Sequence, residues 1–213
     1  MIRLSIARFL LLVCAAAGVL SQVVSANESS VISYRIKYAM PDADSLAERL
    51  KQVDVVAVVR IADAGRARVA QVSLNAIARD EDIVPDADLP PVILTERTAD
   101  VLEILKSSSR QIAPGALVNL LQHGGEITWH ERQVRTHAEV PALSAGVTYL
   151  VFLNYNEASG GMMVSPFDVF RVDRGIIEAG SASSTKYASS LVGLPPQDAF
   201  AAVRRALREH SSD

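Results

Sequence analysis

The sequence predicts a mainly β fold, a small antiparallel barrel or sandwich with a short helix near its start and an amphipathic helix at its end. Two observations carry this. Apolar runs rich in β-branched and aromatic residues, at 53–61 and 147–153, have the nearly continuous hydrophobicity of strands covered on both faces. The remaining extended segments follow one another with glycine and proline turns between them, without the regular strand–helix alternation of a parallel sheet.

Taken in order, Ile32, Tyr34, Ile36 and Tyr38 alternate with Ser33, Arg35 and Lys37, the pattern of a half-buried strand. Ser45 followed three residues later by Glu48 is a capping box, and Leu46 and Leu50 share one face of the short helix it opens. Residues 53–61 then form the expected central strand. Residues 66–78 keep apolar residues without clean periodicity, and the acidic, proline-bearing stretch 79–91 reads as a loop. Residues 92–109 are ambiguous, because Val101, Leu102 and Leu105 fit a helical stripe whereas Thr95, Thr98 and Val101 favour a strand ending near Lys106. The strand is the expectation.

Pro114-Gly115 marks a turn, 116–122 a strand and His123-Gly124-Gly125 the next turn, so that 116–122 and 126–137 are expected to pair as a hairpin. After Gly146 comes the second buried-strand run. Residues 162–172 and the segment at Gly175-Ile176-Ile177 form two short strands about Asp173-Arg174-Gly175. The serine-rich stretch 181–190 reads as low-complexity surface. Beyond Pro195-Pro196, Phe200, Val203 and Leu207 line one face of a final helix with Arg204, Arg205 and Arg208 largely off it.

At the amino terminus, Arg3 and Arg8 precede an uncharged apolar stretch from Phe9 to Leu20, and Val24-Ser25-Ala26 supplies small residues for cleavage. That stretch falls short of the roughly 20 residues of a bilayer span. The expectation is a signal peptide over 1–26 cleaved after Ala26, a β-barrel domain over 27–178, a Ser-rich linker over 179–195 and the helix over 196–213. This places the product in the bacterial periplasm or outside the cell, with no integral membrane span. The alternative is a lipoprotein acylated at Cys14, which Val13 just before it disfavours. Cys14 is the one cysteine of the chain, so packing rather than disulfides must hold the mature fold.

Three stretches, SLAERLKQVDVVAVVRI, VLEILKSSSRQIAPGALVNLLQHGG and LSAGVTYLVFL followed by VFRVDRG, resemble in order a loose group of exported bacterial proteins. That group has a β-barrel like the OB-fold and the netrin or tissue-inhibitor-of-metalloproteinase modules. The resemblance implies a barrel that binds through loops or one open face. It does not bring the zinc-chelating amino-terminal cysteine of the tissue inhibitors, because residues 27–213 hold no cysteine.

The net charge of −3, with interspersed signs, lacks the basic footprint of a nucleic-acid binder. His123, His130 and His137 fall in the expected hairpin near Glu126, Glu131 and Glu139, and imidazoles with carboxylates suit zinc or copper. Residues seven apart on a strand point to opposite faces, which sets His130 against the other two unless a bulge intervenes. Ser183 and Lys186 spell S-x-x-K without the partner motifs of the penicillin-recognising enzymes. Trp129 and Tyr155 are the candidate ligand-contacting aromatics. The function expected is a non-catalytic exported binding or interaction module without a cofactor, its partner an unknown protein or small ligand of the cell envelope or beyond. The alternative is a metal-binding protein or metal-dependent enzyme built on the three histidines. A purely structural envelope protein is a third possibility.

Overall fold

The computed structural model describes residues 32–36, 41–69, 92–107, 112–129, 131–138, 143–157, 159–179 and 185–210. The elements run β1 (Ile32–Ile36), α1 (Leu46–Gln52), β2 (Val55–Ile61), β3 (Arg66–Val69), β4 (Ile93–Ser107) and β5 (Leu117–His123). They continue with β6 (Gly125–Trp129), β7 (Arg132–Ala138), β8 (Thr148–Asn156), β9 (Gly161–Asp173), β10 (Ile176–Ala179), α2 (Lys186–Ser189) and α3 (Pro196–His210).

Five strands close on themselves in the order β2-β4-β5-β9-β8 and back to β2, antiparallel except for the parallel pair β5–β9. The fold is mainly β, a small closed barrel of the OB-like kind. The strand expected at the centre is there. Val55, Ala57, Val59 and Ile61 of β2 join Ala99, Val101, Leu120, Tyr149, Val151, Leu153 and Val169 inside the barrel. Val56 and Val58 face the other way, with Leu150, Phe152, Phe170 and Ile177, into a layer closed by Leu46 and Leu50 of α1, Tyr187, Leu191 and Val203. Burial on both faces is why 53–61 reads as a nearly continuous apolar run, broken by Asp54 and the exposed Arg60.

β4 keeps its strand form to Ser107, as expected, and the ladder slips between Val56 and Ala57 and between Val58 and Val59. β3, unrecognised in the aperiodic 66–78 stretch, is a four-residue strand that pairs, among the described residues, with β4. The expected loop at 79–91 lies outside the described residues. β9 and β10, the two strands expected about Asp173-Arg174-Gly175, pair as a hairpin, though β9 has 13 residues rather than being short. Arg174 (φ 48°) and Gly175 (φ 81°) supply the two left-handed positions of its tight turn. Gly161, opening β9, allows the close parallel approach to β5, since a Cβ there would come within 2.8 Å of the Leu121 side chain.

Two expectations need correction. The hairpin does not join 116–122 to 126–137: β5 pairs with β4 and β9, and the hairpin is β6 with β7. Gly124 and Gly125, at φ 105° and 136°, turn the chain out of the barrel, and β6, β7 and β1 form a separate three-stranded sheet with β1 parallel to β7. The stretch 181–190 is not surface throughout. Thr185, Tyr187 and Ala188, with Leu191 just beyond, are buried, the last three against the outside of β2, β8 and β9, while Lys186, Ser189 and Ser190 stay exposed as expected. The final helix takes the expected face, with Val203 fully buried, Phe200 and Leu207 packed beside it and Arg204 bonded to Glu103. Among the described residues no helix is long and apolar enough to cross a membrane.

Candidate functional site

Register brings the site together. β9 lies between β5 and β8, with Gln122 opposite Val164, Leu153 opposite Val164 and Asn154 opposite Met163. The end of β5, the start of β9 and the far part of β8 therefore meet at one level. Along this ladder Val151 pairs with Val169 but Leu153 with Val164, so two steps on β8 face five on β9. The extra residues make a bulge at Ser165–Asp168, where Pro166 has no N–H to give the ladder. The bulge lets Val164 and Val169 both face the barrel interior while Asp168 turns to the helix layer.

α1 supplies the opposing wall. The Glu48 N–H donates to Ser45 Oγ (3.2 Å), and Glu48 Oε2 accepts from the Asp44 N–H (2.7 Å), a capping box with its return bond one residue early. At the other end Lys106 Nζ donates to the carbonyls of Leu50 and Val53, both at 2.5 Å, satisfying acceptors the helix leaves over. Arg49, three residues after Leu46, faces inward with it and is 7 % exposed; Asp168 is 0 % exposed. Arg49 Nε donates to Asp168 Oδ1 (2.9 Å) and Nη2 to Oδ2 (2.5 Å), a bidentate pair. The Tyr187 hydroxyl lies 2.8 Å from Asp168 Oδ1 and 3.0 Å from the Phe167 carbonyl. Burial opposes the charge on Arg49, but the bonds and charge of Asp168 prevail and raise its pKa. Burial, then the Asp168 carboxylate, raise that of Tyr187, which stays a neutral phenol.

Between these walls lies a cavity of about 140 Å³, partly open, lined by Arg49, His123, Asn154, Ser165 and Asp168 with Phe152, Met163 and Val164. Burial pushes the His123 imidazole below its ordinary value, so it is neutral at pH 7. Asn154 Oδ1 accepts from the Asp54 N–H (3.1 Å), and Asp54 Oδ2 accepts from the Tyr155 N–H (3.0 Å). Ser165 Oγ accepts from the Phe167 N–H (3.3 Å) inside the bulge.

The expected metal ligands fall differently from the hairpin picture. His123 ends β5 in the barrel and lines the cavity; His137 lies on β7 with its backbone paired to Arg35 of β1; His130 lies outside the described residues. Among the described residues no group of three or more His, Cys, Asp or Glu could hold a metal ion. Trp129 ends β6, half-buried and paired with Arg132. Tyr155 is on β8 and packs, half-buried, against the barrel interior. Lys186 of the S-x-x-K match pairs with Asp44 at 2.5 Å, and Ser183 lies outside the described residues. Arg49, Asn154, Ser165 and Asp168 were not anticipated. The available signals were Pro166 and Asp168, each interrupting an apolar strand. No family model matches the chain, and no curated protein matches it.

Proposed function

We propose that the chain is an exported, non-catalytic interaction module that meets a protein partner through the outer face of β4 and β5. One observation carries this: the helix layer packs over β2, β8 and β9 and meets β4 at Glu103–Lys106, while Leu102 on β4 and Leu117 on β5 stay 40 % and 65 % exposed. Asp100 pairs with Leu117, and Leu102 stands two residues further along β4 at the slip in its ladder with β2, so both exposed leucines lie at the same end of the β4–β5 ladder. β4 and β5 are the second and third strands of the barrel, the pair whose outer face serves ligands in OB-folds.

The filled interior supports contact across a surface. The cavity of about 140 Å³ falls below the roughly 300–1,000 Å³ usual for drug-sized ligands. The weak, mixed charge argues against nucleic acid, and the cationic, apolar and small-residue order of 1–26 argues for export.

The test is site-directed photo-cross-linking in the cell envelope, with the reactive residue at position 117 or, as a control, at the exposed Arg205. The expected result is one discrete adduct from 117, absent from 205 and lost when Leu102→Glu is added. Adducts of the same kind from both positions, or none from 117, would overturn the proposal.

A further inference from the structure

The cavity behind the β9 bulge is a separate feature from the β4–β5 face, and its polar lining is rich in donors. A guanidinium has five N–H donors. Arg49 gives two to Asp168 and one to Gln52 Oε1 (2.9 Å), and the Tyr187 hydroxyl also lies beside it, which leaves one N–H still to give, on a side chain 7 % exposed. Asn154 uses its carbonyl oxygen to receive the Asp54 N–H, so its NH₂ is the part left for a ligand. Ser165 Oγ receives the Phe167 N–H and keeps its own O–H to donate. Asp168, the carboxylate on the wall, is already taken by Arg49 and Tyr187. Residues with donors to spare thus line a space whose other walls are the neutral His123 imidazole and the apolar Phe152, Met163 and Val164.

We propose that this cavity is a binding site for the carboxylate of a small molecule or chain end bearing a short aliphatic tail. Its oxygens accept from Arg49, Asn154 and Ser165, and its tail lies against Phe152, Met163 and Val164. The size agrees: an apolar protein cavity of about 150 Å³ holds benzene, a molecule of six heavy atoms, and isobutyrate has the same number. A neutral carboxamide of identical shape is the poorer occupant, because its NH₂ would meet donors. A buried donor facing another donor loses hydrogen bonding without return.

The experiment is a titration followed by amide NMR of the full chain with isobutyrate, isobutyramide and a peptide ending in a free valine carboxylate, at matched ionic strength. Isobutyrate is expected to give saturable shifts at His123, Asn154 and Ser165, and isobutyramide at least ~5-fold weaker ones, as a lost charge-assisted bond implies. Saturation by isobutyrate alone identifies a free small acid; saturation by the peptide as well identifies a chain terminus. Asn154→Asp keeps the acceptor for the Asp54 N–H and adds a negative charge, and it should abolish the shifts. Ser165→Ala should weaken them several-fold. Equal binding of acid and amide, no saturable shift with isobutyrate, or shifts that survive Asn154→Asp would each overturn the site. None of these results bears on cross-linking at position 117.

Discussion

Asp168 is a carboxylate with no exposure to water, in the middle of an apolar strand, and its cost of burial is met by the Arg49 fork and the Tyr187 hydroxyl. Removing one member of such a pair leaves the other charged and alone. Asp168→Ala should therefore lower stability by about 3–5 kcal/mol in urea unfolding, while the double variant Arg49→Met/Asp168→Leu recovers most of the loss. A double variant less stable than Asp168→Ala would show that the pair contributes more than it costs to desolvate.

His123 gives a pH dependence of defined sign. Its folded pKa lies below the unfolded value of about 6.5. Above pH ~6.5 both states are neutral and the imidazole contributes nothing; as pH falls, the unfolded chain takes up the proton first, so stability declines until the lower folded pKa is reached. Subtracting the urea midpoint of His123→Leu from that of the wild type should isolate a term that turns unfavourable below pH ~6.5. A difference that stays flat from pH 8 to pH 5 would contradict the burial that depresses the imidazole.

At the scale of elements, what could be read in the sequence depended on whether a segment's pattern reports its own neighbours. The runs at β2 and β8 are apolar on both faces because both faces are covered, and α1 and α3 announce themselves by a cap and a stripe. The pairing of β5 was not legible, because two adjacent glycines suit a hairpin turn as well as an exit from the barrel. The β9 bulge was equally hidden: it exists only in the register against β8, and so did the cavity it shapes. In 179–195 serine-rich composition masked the anchors, Tyr187 and then Leu191, which bury in the helix layer. Leu191→Ala is the direct measure. A linker residue would change stability by a few tenths of a kcal/mol, whereas a fully buried core leucine should cost about 2–5 kcal/mol.

For the whole molecule the decisive feature is that β2 belongs to two cores at once. Val55, Ala57 and Val59 hold the barrel interior and Val56 and Val58 hold the helix layer, so neither core survives with β2 displaced. Lys106 strengthens the tie by reaching from β4 to the carbonyls at the end of α1, and Arg204 of α3 reaches Glu103 of the same strand. The barrel also closes through contacts distant in sequence, β2 with β8 and β5 with β9, so its closure draws on both ends of the chain. Barrel and carboxy-terminal helix should thus open as one unit and not as a domain with an appendage. In native-state hydrogen exchange the slowest amides of β2, β5 and α3 should converge on a single opening free energy as urea is raised. An α3 that exchanges through its own lower-energy opening, while β2 and β5 remain protected, would separate the two cores and restore the appendage picture.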